Sequence, residues 1–204
     1  MWMLKQDPGI ELLGLLTTVN SSVERVSMHA VRGTLLGAQA VAAGLPLLTV
    51  PLPDPCSDEE YRAAMSHTID EVKGQGVEAM AFGDLFLEDV RAYREAQLAG
   101  TGIAPLFPLW GRPTRPLAEE MIAAGGEAIS TCVDTEQLDR SFAGRRFDHQ
   151  LLRDLPPGVD PCAENGEFHT VAIAGPMFDA PIAVEVGTIV DRGRFVFTDV
   201  RLRG

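Results

Sequence analysis

The sequence predicts an α/β protein: an open, doubly wound parallel sheet of five strands, followed by a smaller mixed α+β subdomain. The first observation behind this prediction is that strand-like apolar runs and helix-like periodic runs alternate five times before residue 134. The second is that this alternation then stops, and short helical segments and a hairpin pattern follow. We therefore expect one domain over residues 1–134 and a subdomain over residues 135–204.

The beginning of the chain is unusual for a domain of this class. Residues 1–6 have the apolar face of a helix that Asp7-Pro8-Gly9 ends, and no N-cap residue precedes them. Because an uncapped apolar helix is a poor start for a domain, we expect further residues upstream of Met1. The next run, residues 10–18, is almost continuously apolar, which is typical of a strand buried on both faces.

Capping and turn residues set the limits of the elements that follow. Ser57 and Glu60 have capping-box spacing, so a helix is expected to begin at Asp58. Gly44 ends the preceding helix, and the turn at 191–194 lies between two apolar runs, as in a hairpin. The predicted helices are 30–43, 58–73, 84–98, 116–124, 135–142 and 147–155, and the predicted strands are 45–52, 77–82, 103–110, 128–133, 168–174 and the two hairpin strands.

Composition and charge narrow the class of protein. The formal charge is −12, which argues against non-specific binding to nucleic acid or to an anionic membrane. The three cysteines are too few and too scattered for a disulfide framework, which favours a reducing compartment. No apolar run is long enough to cross a membrane, and no signal peptide is evident. We expect a cytoplasmic protein.

Residues 160–170 form the segment with the highest density of reactive side chains. Two carboxylates (Glu164 and Glu167), Asn165, a thiol and His169 fall within eight residues. Gly166 permits a sharp turn, and alternation would then direct Glu167 and His169 to one face of the following strand. Glu and His are the usual proton carriers near neutral pH, so the segment is a candidate catalytic turn. A polar turn that only caps backbone amides is the alternative.

Further polar residues lie where the predicted parallel strands end, which is where ligands gather in open α/β sheets. Asp84 follows the third strand, and if a helix begins there, Glu88 and Arg91 share its face. A helix-starting carboxylate with a surface ion pair would give the same pattern. His29 precedes a helix and is more often structural in such a place, and Trp110 suits either the core or a ligand ring.

Several segments share the order and spacing of motifs in one enzyme family, and they are Gly14-Leu15-Leu16-Thr17-Thr18, Phe82-Gly83-Asp84 with Glu88 and Arg91, Pro108-Leu109-Trp110-Gly111, Glu164-Asn165-Gly166-Glu167-Phe168-His169-Thr170, and Gly175-Pro176-Met177-Phe178. Together they resemble the diphthine–ammonia ligase family, the N-type ATP pyrophosphatases of the adenine nucleotide alpha-hydrolase-like (HUP, PP-loop) superfamily. The resemblance covers nearly the whole chain.

The resemblance implies an ATP-dependent, amide-forming ligase. ATP with Mg²⁺ would adenylate a substrate carboxylate and release pyrophosphate, and ammonia would then displace AMP. Residues 1–134 would be the Rossmann-like nucleotide-binding domain, and residues 135–204 would lie on the substrate and ammonia side. The acceptor carboxylate would belong to an elongation-factor-like protein or to a small molecule, with no nucleic acid or membrane partner, and a homodimer is compatible with the family.

The sequence departs from the family in two places. Members carry a first strand and a Ser-Gly-Gly-Lys-Asp-Ser phosphate loop before the helix that here begins at Met1. We expect Met1 to be a misassigned or engineered start, the alternative being a degenerate member. Ala163 stands where relatives often have glycine.

The resemblance also implies roles for the residues already named. Asp84 would orient Mg²⁺-ATP or the acceptor, with Gly83 beside it, and Glu88 and Arg91 would hold that geometry. Glu164 and Glu167 would attract ammonium, and Glu167 or His169 would take its proton. The expected substrate- or nucleotide-binding residues are Met28, His29, Gly83, Glu88, Arg91, Trp110, Asn165 and Thr170.

Three alternatives remain open on the sequence. The chain could be a truncated adenine-nucleotide-binding module without turnover. Cys162, Glu164, Glu167 and His169 could form a metal site, although such a mixture of hard and soft ligands on one loop is unusual. The C-terminal hairpin could serve a purely structural or oligomeric role, which would not exclude catalysis.

Overall fold

The computed structural model describes residues 1–20 and 31–204, together with the backbone of residues 25–26. Met28 and His29, which the sequence analysis placed near a nucleotide, lie outside the described residues. The helices are α1 (Trp2–Lys5), α2 (Gly33–Ala43), α3 (Asp58–Gly74), α4 (Glu88–Leu98), α5 (Thr114–Ala123) and α6 (His149–Asp154). The strands are β1 (Leu15–Asn20), β2 (Arg25–Val26), β3 (Leu47–Leu52), β4 (Ala79–Ala81), β5 (Ala104–Leu106), β6 (Glu127–Asp134), β7 (Phe168–Ala174), β8 (Val184–Arg192) and β9 (Phe195–Leu202).

The parallel strands form two small sheets, not the single five-stranded sheet that the sequence predicted. β1 and β3 pair in parallel along six residues, and the short β2 joins β1 in antiparallel direction. β4 and β5 form a separate parallel pair. The α/β class and the parallel pairing are therefore confirmed, and the continuous doubly wound sheet is corrected to two sheets with a cleft between them.

The third sheet is antiparallel and has the strand order β7-β6-β9-β8. Its strand β6 was predicted as the fifth parallel strand, and this prediction is wrong, because β6 pairs with β7 on one side and with β9 on the other. An apolar run such as β6 is consistent with either sheet, so only long-range pairing decides which one it joins. The division of the chain at residue 134 remains a prediction.

Local signals placed many elements correctly and a few incorrectly. The Ser57–Glu60 capping box is present in both directions, and β7 has the predicted limits. The helix expected at 135–142 is only a short 3-10 turn, Arg140–Phe142, and the helix expected from Asp84 begins at Glu88. In the described part of the chain, no helix is long and apolar enough to cross a membrane.

Helix α2 connects the parallel strands to the antiparallel sheet. Leu35 on this helix is fully buried and packs in one cluster with Ile129 of β6, Val171 of β7 and Val200 of β9. Beside it, the Arg32 guanidinium donates two hydrogen bonds, of 2.8 and 2.7 Å, to the Asp199 carboxylate on β9. Helix α2 is thus fixed to the antiparallel sheet by an apolar cluster, by an ion pair and by a hydrogen bond of 2.8 Å from the Gln39 side chain to the Ala172 carbonyl.

Asp134 holds the final hairpin against the end of β6. Its buried carboxylate accepts hydrogen bonds of 2.9 and 2.6 Å from the Arg194 guanidinium and one of 2.9 Å from Gln137. The hydrogen bonds from Arg194 are the main cause that lowers the pKa of Asp134 to about 2, against the effect of burial. The carboxylate therefore stays ionised throughout the usual pH range.

The role of Leu35 leads to a test by truncation. Leu35→Ala should lower the free energy of unfolding by about 2–5 kcal/mol, because it leaves a cavity between α2 and the antiparallel sheet. Val41→Ala on the same helix is the control, since that side chain is 80% exposed, and it should change stability by less than about 0.5 kcal/mol. Urea denaturation measures both, and equal effects would contradict the packing described here.

The Asp134–Arg194 pair predicts the shape of acid unfolding. Because the folded-state pKa lies below the unfolded value, the pair stabilises the fold above about pH 4, and this contribution disappears as the pH falls from about 4 to about 2. Asp134→Asn should cost about 1–3 kcal/mol at pH 7 and flatten the pH dependence in that window. Asp70→Asn, on the exposed side of α3, should keep the wild-type curve in urea titrations from pH 2 to 7.

Candidate functional site

The acidic turn between α6 and β7 is built around Asp160 and Glu167. The Asp160 amide donates to Glu167 Oε1 at 2.8 Å, and the Glu164 amide donates to Asp160 Oδ2 at the same distance. Asn165 Nδ2 also donates to Glu167 Oε1, at 3.1 Å. Each carboxylate thus closes the loop on a backbone amide, which fixes the positions of the polar side chains.

Two residues of this turn adopt left-handed backbone conformations. Gly166 has a φ of 81°, which glycine adopts without strain, and Ala163 has a φ of 57°. A non-glycine residue in this region costs on the order of 1 kcal/mol. Ala163, which stands where relatives often have glycine, therefore lies at a position where the backbone favours glycine. Strained backbone positions of this kind tend to occur at functional sites.

Glu164 connects the acidic turn to the loop that follows β4. Its Oε1 accepts a hydrogen bond of 2.6 Å from the Leu85 amide, directly after Asp84. Burial is the main cause that raises the pKa of Glu164; the amides of Leu85 and Phe86 oppose this, and the negative charges of Asp84 and Asp160 add to it. Asp84 and Glu164, which are 80 positions apart in the chain, therefore act on each other electrostatically.

Glu167 lies beneath the turn and is only 2% exposed. Its Oε1 is used within the turn, whereas Oε2 is buried and has no hydrogen-bond partner among the described residues. Leaving a buried carboxylate oxygen without a partner is costly unless it carries a proton or binds a ligand. Glu167 thus has one oxygen that maintains the turn and one that is buried without a hydrogen-bond partner among the described residues.

A cleft of about 680 Å³ lies between the two parallel sheets and the antiparallel sheet. Its walls include Leu15 to Thr17 of β1, Phe82 and Gly83 after β4, and His169 and Thr170 of β7. The volume lies within the usual range for small-molecule sites. His169 and Gly83 therefore line one shared space, whereas Asp84, Glu164 and Glu167 are not among the described residues that line it.

The expected grouping of Asp84, Glu88 and Arg91 on one helix face is not observed, because α4 begins only at Glu88. The Arg91 guanidinium instead donates to Glu95 at 2.8 Å and lies 4.9 Å from the ring centre of Phe107 and 4.7 Å from that of Trp110. Glu88 lies exposed in the first turn of the helix. Trp110 is therefore part of an arginine–aromatic cluster and is not among the side chains that line the cleft.

Cys162 does not behave as a reactive thiol or a metal ligand. Its Sγ lies 3.3 Å from the carbonyl oxygen of Thr114, and burial is the main cause that raises its pKa to about 12. Within residues 1–20 and 31–204, no group of three or more His, Cys, Asp or Glu side chains could hold a metal ion. The alternative of a metal site at Cys162, Glu164, Glu167 and His169 is therefore not supported.

Sequence reasoning gave no role to two residues that the structure makes important. Asp160 organises the acidic turn, and its signal was an Asp before proline, four residues ahead of Glu164. Phe107 stacks on Phe82 at a ring-centre distance of 5.5 Å and contacts Arg91. It lies within the predicted strand 103–110, and the sequence analysis gave it no role.

The interaction of Asp84 with Glu164 can be tested by titration. Asp84→Asn should lower the pKa of Glu164, because it removes one of the negative charges that raise it. Carbon-13 NMR of the glutamate carboxyl groups measures the change. Asp70→Asn should leave this pKa unaltered, and an unaltered value in Asp84→Asn as well would show that the two carboxylates do not share a site.

Comparison with known proteins shows which proteins this chain resembles. Residues 113–200 match the family model described as the diphthamide synthase C-terminal domain, which covers the acidic turn and nearly all of the antiparallel sheet. The diphthine–ammonia ligase of Bos taurus is 29% identical over 129 residues, which cover 61% of this chain and 48% of the relative. That of Rattus norvegicus is 28% identical over the same length and the same shares. The chain spans about half the length of these curated relatives, and over the matched residues it is similar to diphthine–ammonia ligases.

Proposed function

We propose that this chain carries the ammonia and acceptor side of an ATP-dependent ligase that forms an amide from a substrate carboxylate and ammonia. The main support is the 2.6 Å hydrogen bond from the Leu85 amide to Glu164, which brings the acidic turn beside Asp84 at the carboxyl end of β4. Similarity to the curated relatives suggests the reaction class, because these relatives are named as ligases of diphthine and ammonia.

The acidic turn suits the capture and deprotonation of ammonium. At neutral pH ammonium predominates over ammonia, so a nearby base must remove one proton before the nitrogen can attack. The unpartnered Oε2 of Glu167 is a suitable hydrogen-bond acceptor for an ammonium N–H group. The raised pKa of Glu164 makes that carboxylate a stronger base than an ordinary glutamate, and His169 on the cleft wall could pass the proton to solvent.

The nucleotide is assigned to the cleft next to Gly83 and Asp84. The cleft is large enough for a nucleotide base, and its apolar wall at Leu15 and Phe82 suits a ring. A magnesium ion bound to phosphates needs only one or two protein carboxylates, and Asp84 can supply one. ATP would supply the leaving group that activates the acceptor carboxylate.

The acceptor is assigned to the side of the Asp84 loop where Arg91 lies. Arg91 is oriented by Glu95 and by two aromatic rings, and such a pre-organised guanidinium binds carboxylates and phosphates well. The acceptor would be a carboxylate on an elongation-factor-like protein, by analogy with the name of the relatives, or on a small molecule. A cytoplasmic location is part of this proposal.

The test combines ATP, Mg²⁺, ¹⁵N-ammonium and elongation factor 2 that carries diphthine. It is run on this chain and, in parallel, on the longest natural reading frame that contains it. The expected result is release of AMP and pyrophosphate, together with ¹⁵N in an amide detected by mass spectrometry. Glu164→Gln and Glu167→Gln should each reduce amide formation by about 10²–10⁴-fold, because each removes a basic carboxylate while retaining its shape.

The matched control is Glu88→Gln, which changes an exposed carboxylate on the same edge of the sheet and should reduce the rate much less. Full amide formation by both Glu164→Gln and Glu167→Gln would end the assignment of the acidic turn. Binding of AMP or ATP without pyrophosphate release, in both forms of the chain, would favour a nucleotide-binding module instead.

A further inference from the structure

A second cavity, of about 510 Å³, lies between the beginning of α3 and helix α4. Leu52, the last residue of β3, also lines it, so the cavity lies at the carboxyl end of a parallel strand, where ligands gather in open α/β sheets. Its volume is within the usual range for small-molecule sites. None of the residues that line it also lines the cleft described above. The cavity is therefore a separate candidate site, to which the proposed function gives no role.

Arg94 in this cavity is a half-buried cation without an anionic partner among the described residues. Its guanidinium lies 5.1 Å from the ring centre of Phe82, and its Nη1 donates a hydrogen bond of 3.5 Å to Tyr61 Oη. Within the described chain its Nε is buried without an acceptor and the guanidinium forms no ion pair, whereas Arg91 on the same helix pairs with Glu95. A guanidinium that is stacked on a ring and lacks a counter-ion is suited to bind an anionic group of a ligand.

Two tyrosine rings form the aromatic part of the cavity wall. The ring centres of Tyr61 and Tyr93 lie 6.5 Å apart, and the rings are inclined to each other by 35°. Tyr93 is 41% exposed, and its hydroxyl already accepts a hydrogen bond of 3.0 Å from the Gln97 side chain. An exposed ring beside a cavity provides a surface on which an apolar or aromatic group can pack. The cavity can therefore hold such a group next to the Arg94 guanidinium.

Two exposed carboxylates, Asp58 and Asp89, line the same cavity. Neither forms an ion pair with a residue that the structure describes. They would repel a phosphate or another simple anion, whereas they would attract a ligand that also carries a positive charge. One cation beside the rings and two exposed carboxylates are therefore complementary to a zwitterion.

We propose that this cavity binds a free amino acid with an apolar or aromatic side chain. The ligand carboxylate pairs with the Arg94 guanidinium and accepts a hydrogen bond from the Tyr61 hydroxyl. The ligand ammonium group lies near Asp58 and Asp89, and the ligand side chain packs on the ring of Tyr93. This inference does not depend on the reaction proposed for the candidate site.

A proton–nitrogen NMR titration of the whole chain at pH 7 tests the proposal with matched compounds. L-Phenylalanine carries both charges, 2-phenylethylamine lacks the carboxylate, and 3-phenylpropionate lacks the ammonium group. L-Phenylalanine should shift the amide signals of the cavity residues with a Kd of about 1 mM or below, and the other compounds should each bind at least about tenfold more weakly. Absence of saturation by L-phenylalanine at about 20 mM, or equal affinity for the three compounds, would overturn the proposal.

Substitutions then assign each charge of the ligand to its partner. Arg94→Met retains an unbranched side chain without the charge, so it should remove the advantage of L-phenylalanine over 2-phenylethylamine. Asp89→Asn should weaken the binding of L-phenylalanine and leave that of 3-phenylpropionate no weaker. Arg153→Met, at an exposed position on α6, is the control and should leave all affinities unaltered. Circular dichroism melting verifies that each variant is folded. A folded Arg94→Met variant that binds L-phenylalanine as tightly as the wild type would refute the assignment.

Discussion

The hydrogen bond from the Leu85 amide to the Glu164 carboxylate is the contact on which the candidate site depends. It joins a turn of the antiparallel part of the chain to the loop after β4, and it places two carboxylates close together where both remain partly accessible. Asp160 supports this contact, because its carboxylate accepts a hydrogen bond from the Glu164 amide and so holds the backbone of the acidic turn. This hydrogen bond therefore keeps Glu164 close to Asp84, whose negative charge contributes to the raised pKa of Glu164.

The packing of helix α2 on the antiparallel sheet supports this contact. Leu35 and the Arg32–Asp199 pair fix α2 to the antiparallel sheet, which leads into the acidic turn through β7. The cleft remains between the layers because the two parallel sheets do not pair with each other. The site is thus an apolar space with an acidic rim, a combination that suits an aromatic ring and a cationic nitrogen together.

Asp134 connects the acidic turn with the hairpin of β8 and β9. Its amide donates to the Glu167 carbonyl at 3.0 Å, and its carboxylate holds Arg194 in the turn between β8 and β9. A change in the hairpin can therefore reach the backbone of Glu167 through one residue.

Short-range physical chemistry in the sequence determined the capping box at Ser57, the limits of β7 and the Asp191–Arg194 hairpin turn, since each depends on residues close together in the chain. It also indicated that Glu164, Glu167 and His169 belong to one turn. Only the tertiary structure decided that β6 joins the antiparallel sheet and that α4 begins at Glu88. The physical reason is that strand pairing is set by partners far away in sequence. The Leu85 amide donates a hydrogen bond to Glu164, 79 positions away in the chain, and the Leu85 carbonyl accepts one from the Gly111 amide. These two bonds hold the segment after Asp84 in a loop, where the sequence alone predicted the start of a helix.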